Sequence, residues 1–180
     1  MGTPNLLEAI GPGVYTYRIA NLGSGKSDSP VSSQVLSLPC SYLVNVDIHN
    51  PYIDFLKVQR FDALVVAFTI SEIELWLETQ LDRDFDILLL IDVLEHFPPL
   101  IARLVLDKCK RVTSRKIIIF LPLGECKQDE YDGNRWQKHW STWTASDLEA
   151  LGFKVEVLKA FHLHFNPPVD AGVAIYEVGK

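Results

Sequence analysis

The stretch FDILLLIDVLEHF, residues 85–97, decides the fold. Phe85 to Leu94 is the most strongly apolar segment of the chain. It has the length of a strand, yet its core does not alternate polar with apolar residues. Such a run suits a central parallel strand covered on both faces. The strand closes at Asp92, and Glu95 and His96 follow at once. In an open parallel sheet, ligands bind beyond the carboxyl ends of the strands, so these residues are candidates for a site.

Working outward, PPLIARLVLDKCKRV (98–112) reads as an amphipathic helix, with prolines at its start and Lys and Arg in its last turn. KIIIFL (116–121) predicts a second buried strand, stopped by Pro122. Upstream, YTYRIANL (15–22) predicts a strand ended by Gly23. A short helix follows within residues 28–38, with Pro30 at its first position and Val31, Val35 and Leu38 on one face. YLVNVDI (42–48) predicts another strand, and Asn50-Pro51 opens a helix with Tyr52, Phe55 and Leu56 on one side. ALVVAFTI (63–70) is of strand length, and SEIELWLETQL has helical spacing at Ile73, Trp76, Leu77 and Leu81.

Downstream, residues 123–143 form a polar, aromatic loop that is long for a compact α/β protein. Thr144 caps ASDLEAL, with Asp147 at the third helical position and Gly152 after the end. Strands over 153–161 and 171–178 complete the chain. Strands alternating with helices predict an α/β fold, a doubly wound parallel sheet in a single domain spanning 1–180.

Bulk properties restrict the partners. The net charge of −6 supplies no positive field for a phosphate backbone, so long nucleic acid is not expected. No apolar run approaches the ~20 residues of a membrane span, and the N-terminus lacks the pattern of a signal peptide. Cys40, Cys109 and Cys126 are odd in number without close pairing, and read as free thiols of a cytoplasmic protein. Oligomeric state has no readable signature.

NLGSGKS (21–27) leaves the first strand through two glycines, either as a corner or as a backbone approach to a ligand. Asp47 ends the second strand 22 residues after Gly25. It could cap the next helix, or accept hydrogen bonds from both hydroxyls of a ribose. Together, turn and acid favour a nucleotide-like cofactor.

NLGSGKS, NVDIHNPYI and FDILLLIDVLEHF in series resemble the motifs of class I S-adenosylmethionine-dependent methyltransferases, and STWTASDLEALGF is similar to that family's tail. The resemblance spans about residues 14–178 and implies a Rossmann-like sheet of order 3-2-1-4-5-7-6 with strand 7 antiparallel. It implies S-adenosyl-L-methionine as cofactor. Asn21, Gly23, Ser24 and Gly25 would lie at its methionine end, Asp47 at the ribose and Ile48 beside the adenine. Thr69 and Ile70 would lie near the adenine edge, and Ile91 and Asp92 on the methionine side. The sequence departs from the pattern at Asn21, where an acid is usual, and at Ser27, which replaces a third glycine. Asn21 cannot ion-pair with the methionine ammonium.

The implied reaction is methyl transfer to oxygen or nitrogen of a small molecule. One rival is a non-catalytic binding module with a weakened cofactor site. A nicotinamide dehydrogenase is disfavoured by DVLEHF and the tail. His96 is the candidate general base, or else a locally bonded helix-start residue. YDGNRWQKHWSTW (131–143) brings Tyr131, Trp136, His139, Trp140 and Trp143 together, as a substrate lid or as a packing cluster. The types of Asp92, Glu95, His96 and His139 also match divalent-metal ligands, but the base reading of His96, seconded by His139, is adopted with no metal. His162 and His164 share one face of a strand end, with nothing nearby in sequence to complete a site.

Overall fold

The computed structural model describes residues 3–131 and 133–179. Seven strands form one sheet: β1 (Arg18–Leu22), β2 (Tyr42–Asp47), β3 (Val66–Ile70), β4 (Phe85–Ile91), β5 (Thr113–Leu123), β6 (Lys154–His162) and β7 (Val169–Glu177). Their order is β3-β2-β1-β4-β5-β7-β6, as implied. The first five strands run parallel, and β7 is antiparallel to both β5 and β6. The helices are α1 (Leu6–Ile10), α2 (Asn50–Lys57), α3 (Ile73–Glu78), α4 (Pro99–Val112) and α5 (Ala145–Ala150). Among the described residues, no helix is long and apolar enough to cross a membrane.

The continuous apolar run of β4 has a direct cause. Leu88 and Leu90 enter a core with α3, α4 and α5, which includes Cys109. Ile87, Leu89 and Ile91 enter a second core on the other face with Val31, Val35, Leu38 and Cys40. Successive strand residues point to opposite faces, and both faces are covered, so from Ile87 to Ile91 no position is left for a polar side chain, and the strand's one acid, Asp86, sits half-buried near its start. On α4, Ala102, Val105, Leu106, Cys109 and Val112 form the buried stripe. Arg111 in its last turn donates to the backbone carbonyls of Leu77 and Gln80 at 2.6 and 2.9 Å, tying α4 to the end of α3. The capping box of α5 is formed by Thr144 and Asp147 as the spacing predicts.

Some elements differ from their sequence expectations. The segment after the glycine turn is a 3₁₀ helix, Ser32–Ser37, not an α-helix. Ser29 and Ser32 each accept the other's backbone N–H at 3.1 Å, and such serine bonds compete with helical backbone pairing. Residues 14–16 form a 3₁₀ turn rather than the start of β1, and α1, capped by Asn5, had no sequence expectation. On α2 the inward arc is Tyr52, Ile53 and Leu56, which leaves Phe55 exposed. Leu81 lies beyond α3 and is exposed.

Pro122 does not stop β5, which continues to Leu123. Phe120 accepts from Asp92 N at 2.8 Å, so its backbone polar groups face β4. Two residues on, Pro122 faces the same way, where the β4 ladder has already ended. Its missing N–H therefore removes no ladder bond.

Candidate functional site

The site lies at the carboxyl ends of β1, β2 and β4. Gly23 has φ +61°, and a Cβ there would lie 2.8 Å from Val93 Cγ2, so both backbone and packing require glycine. Ser27, at the third-glycine position, adopts φ +51° despite its side chain, and its hydroxyl donates to the Ser24 carbonyl at 3.2 Å. Asp47 is buried at the end of β2. One carboxylate oxygen accepts from Gly25 N and the other from His49 N, each at 2.8 Å. Burial raises the Asp47 carboxyl above its usual range in spite of these bonds. The glycine turn of β1 is thus tethered to the end of β2.

Asp92 follows β4 at φ +54°, an uncommon conformation for a residue with a side chain. Burial raises its carboxyl to about 7. Glu95 is buried, and its carboxyl is raised well above the usual range, first by burial and then by the negative charge of Asp92. Its backbone carbonyl accepts from Trp140 N at 2.7 Å and Ser141 N at 3.1 Å, which fastens the long loop over the end of β4.

The two histidines meet there, with ring centroids 4.9 Å apart. His96 Nδ1 lies 3.2 Å from the Lys138 carbonyl, and His139 Nδ1 lies 2.6 Å from the Cys126 carbonyl. A carbonyl only accepts, so each ring carries its proton on Nδ1 and keeps a lone pair on Nε2. Burial, then the neighbouring His139, pushes His96 down to about 4. Burial also lowers His139. Both imidazoles are therefore neutral at pH 7.

Three cavities converge on Asp92. The first, about 390 Å³, is lined by Gly23, Asp47, Ile48, Asp92 and His96 and flanked by Trp136 and Trp140. The second, about 360 Å³, is lined by Asp92, Glu95, His96, His139, Cys126 and the aromatic end of β6. A smaller one of about 220 Å³ runs under the glycine turn past Ser24, Gly25, Ile91 and Tyr131. Tyr131 also lines the second cavity. One ligand atom each from Glu95, His96 and His139 lie within 4.8 Å of one another, a donor set that could hold a divalent metal.

Some candidates fall outside this cluster. Asn21 is buried and donates to Asn45 Oδ1 at 2.9 Å, so it bridges β1 and β2 within the sheet and lines none of the three cavities. Thr69 and Ile70 end β3 outside the first cavity, whose wall is formed by the next residues, Ser71, Glu72 and Ile73. Trp143 is a core residue, its indole N–H donating to Ser141 Oγ at 2.9 Å, and it is not part of a lid. Trp136 and Trp140 border the first cavity rather than the one that holds His139 and His162.

Sequence reasoning missed Gln137, which lines all three cavities. It also left His162 without companions. The β6 end places His162 and Phe161 in the wall opposite His139, with Phe161 packed edge-on against Phe120 at 5.3 Å. The alternation of His162 and His164 was the available signal. Its companions come from β4 and the long loop, which only the fold brings near.

No protein-family model matches the sequence, and no curated protein does. Solved structures do match. A SAM dependent methyltransferase from Archaeoglobus fulgidus shares 16% identity over 90% of this chain and 86% of that one, with a TM-score of 0.60. An S-adenosylmethionine dependent methyltransferase from Mesorhizobium loti shares 16% identity over 93% and 94%, at TM-score 0.59. The Burkholderia thailandensis 1,6-didemethyltoxoflavin-N1-methyltransferase, solved with 1,6-didemethyltoxoflavin and S-adenosylhomocysteine, shares 15% over 94% and 77%, at 0.62. The chain has the Rossmann-like fold of S-adenosylmethionine-dependent methyltransferases.

Proposed function

We propose that this chain transfers a methyl group from S-adenosyl-L-methionine to a small-molecule acceptor. The observation that carries the reading is the pair of cavities that share Asp92 and His96, one beside the glycine turn and Asp47, the other beside the histidines. Transfer requires donor and nucleophile to be aligned across such a junction. When bound, the cofactor supplies an electrophilic methyl group on a positively charged sulfur.

This chain's residues suit that ligand. The buried Ser24 hydroxyl has no hydrogen-bond partner, and a Cβ at Gly25 would meet nothing within 4 Å, so turn and hydroxyl are available to a ligand. Asp47 retains lone pairs for the ribose hydroxyls, and Ile48 offers an apolar edge to the adenine. On the acceptor side, His96 Nε2 receives the proton lost by the nucleophile, with His139 beside it. Asp92 borders both cavities, and its raised carboxyl places it as a second proton acceptor near neutral pH. Trp136 and Trp140 shield the cofactor side from water, and Tyr131 and Gln137 border the acceptor.

One observation favours a second reading, a binding module of the same fold with a weakened cofactor site. Asn21 is committed to Asn45 and offers no charge to the methionine ammonium. Titration calorimetry with S-adenosylmethionine and S-adenosylhomocysteine separates the two. Binding should stabilise the protein by about 2.7 kcal/mol at ligand about 100 times its dissociation constant. No heat and no thermal shift at millimolar ligand would favour the binding module.

A further inference from the structure

We propose that this chain pairs with a second copy of itself through the free edge of β3, so that two sheets join into one across a two-fold axis. This pairing does not depend on the methyl-transfer reading. The strand order leaves two edges, β3 and β6, and they are built differently. β6 carries Lys154, Glu156 and Lys159, its register with β7 shifts between Leu158 and His162, and Ala160 adopts φ +50° there. Charges and a local irregularity are devices that keep an edge from accepting another strand. β3 has neither. From Ala63 to Ser71 there is no charged residue and no proline, and the register with β2 is unbroken. At the ends of the strand Leu64, Val65 and Ile70 are 83%, 51% and 51% exposed, so apolar side chains accompany the open edge.

The backbone shows what the edge offers. Leu43 N donates to the Val65 carbonyl at 2.9 Å, and Ser71 N donates to the Asp47 carbonyl at 3.0 Å, so Val65, Ala67, Thr69 and Ser71 turn their polar groups toward β2. Successive strand residues turn N–H and C=O to opposite sides, so Val66, Phe68 and Ile70 present theirs outward. Among the described residues, none of these outward groups has a hydrogen-bond partner. A second β3 running antiparallel uses all three in one register, with Phe68 opposite Phe68 of the second copy and Val66 opposite its Ile70. Each facing pair then exchanges both N–H···O=C bonds. The side chains of these pairs share one face, aromatic against aromatic and β-branched against β-branched. Phe61 packs edge-on against Phe68 at 5.9 Å and backs the central pair. A foreign strand would have to reproduce this pattern, whereas a second copy supplies it by symmetry. Charge points the same way: two molecules of net charge −6 repel, and an uncharged strand brings no like charges face to face.

The test is sedimentation equilibrium of the full chain across micromolar concentrations, with amide exchange followed by NMR on the same samples. A concentration-dependent dimer is expected, and its formation should slow exchange at Val66, Phe68 and Ile70, the amides that face outward. Ile70→Pro removes an outward N–H without touching the β2 ladder, and Val66→Lys puts a charge on the edge. The two-fold axis repeats each change, so either variant should raise the dimer dissociation constant at least about tenfold. Val157→Lys, on the β6 edge, should leave it unchanged. A thermal melt identifies a variant that does not fold; the other then decides, and the amide pattern of the parent chain needs neither. A parent chain that stays monomeric throughout would overturn the proposal, since the edge would then be open to a different protein. So would a dimer whose three amides exchange at the monomer rate, or one that survives in the folded β3 variants and is lost in Val157→Lys.

Discussion

Replacing Asp47 by Asn tests the tether between β1 and β2 and the proposed cofactor site together. The carboxylate accepts from Gly25 N and His49 N, each at 2.8 Å. An amide keeps one acceptor oxygen, and its NH₂ group would face the other N–H, donor against donor. A hydrogen bond to a charged group contributes about 1.5–3 kcal/mol, and a stranded buried donor costs about 1–3 kcal/mol. Opposing this, burial raises the Asp47 carboxyl, so a neutral side chain recovers part of the desolvation cost. The net loss expected is about 2 kcal/mol, which at this chain length lowers Tm by roughly 4–8 °C. Freed from Asp47, Gly25 would also hold its turn less firmly, and the ribose would lose an acceptor. The dissociation constant for S-adenosylhomocysteine should rise at least about tenfold, equivalent to about 1.4 kcal/mol. Thermal unfolding without ligand reads the tether, and calorimetry reads the site. A Tm within about 1 °C of the parent would refute the tether's energetic role. A lowered Tm with unchanged ligand affinity would show that Asp47 holds the turn but does not touch the ribose.

Four further perturbations follow from the same geometry. Burial takes His96 from 6.5 to about 4, so the unfolded chain binds its proton first. The contribution is fully present above pH 7 and is lost as pH falls from 6.5 toward 4, by about 3 kcal/mol; urea titrations at pH 7.5 and 4.5 should show a smaller loss in His96→Asn. Glu95 is shifted the opposite way, so the unfolded chain loses its proton first and stability falls as pH rises above the ordinary carboxylate range. Glu95→Gln should therefore raise Tm at pH 8 and change it little at pH 4, and an equal effect at both would contradict the burial argument. Trp143→Ala should cost about 3–5 kcal/mol in denaturant unfolding as a core deletion. Trp140→Ala should stay within about 0.5 kcal/mol and instead weaken S-adenosylhomocysteine binding.

The parts of the fold legible in the sequence were those dictated by local pattern. β4 announced itself because a strand covered on both faces carries an unbroken apolar run, here Ile87 to Ile91, and Thr144 with Asp147 marked a helix start that needs only residues three apart. Asp47 was legible as a strand-ending acid at a fixed distance from a glycine turn. What escaped depended on neighbours remote in sequence. Trp140 and Trp143 stand three residues apart in the same loop, yet one is 57% exposed and the other 3%, because only Trp143 reaches the core beside α5. Asn21 looked like a departure at a cofactor contact, and its partner Asn45 became visible only once β1 and β2 were paired in register. His162 had no companions within its own segment, since the residues facing it leave from β4 and β5. Pro122 looked like a strand terminus because the direction of its missing N–H depends on where β4 ends.

The three cysteines give this chain a set of built-in clocks. All are free and buried, and burial pushes Cys40 and Cys126 up to about 11 and Cys109 higher still. At neutral pH almost no thiolate is present, so alkylation of the native protein is slow and each modified sulfur records an opening event. The three sulfurs occupy separate compartments: Cys40 in the core on one face of the sheet, Cys109 in the core on the other, and Cys126 in the wall of the cavity that holds His96, His139 and His162. Mass spectrometry of a timed alkylation therefore reads three rates from one unmodified sequence. The Cys126 rate follows breathing of the cavity wall, and the other two report when each side of the sheet comes apart.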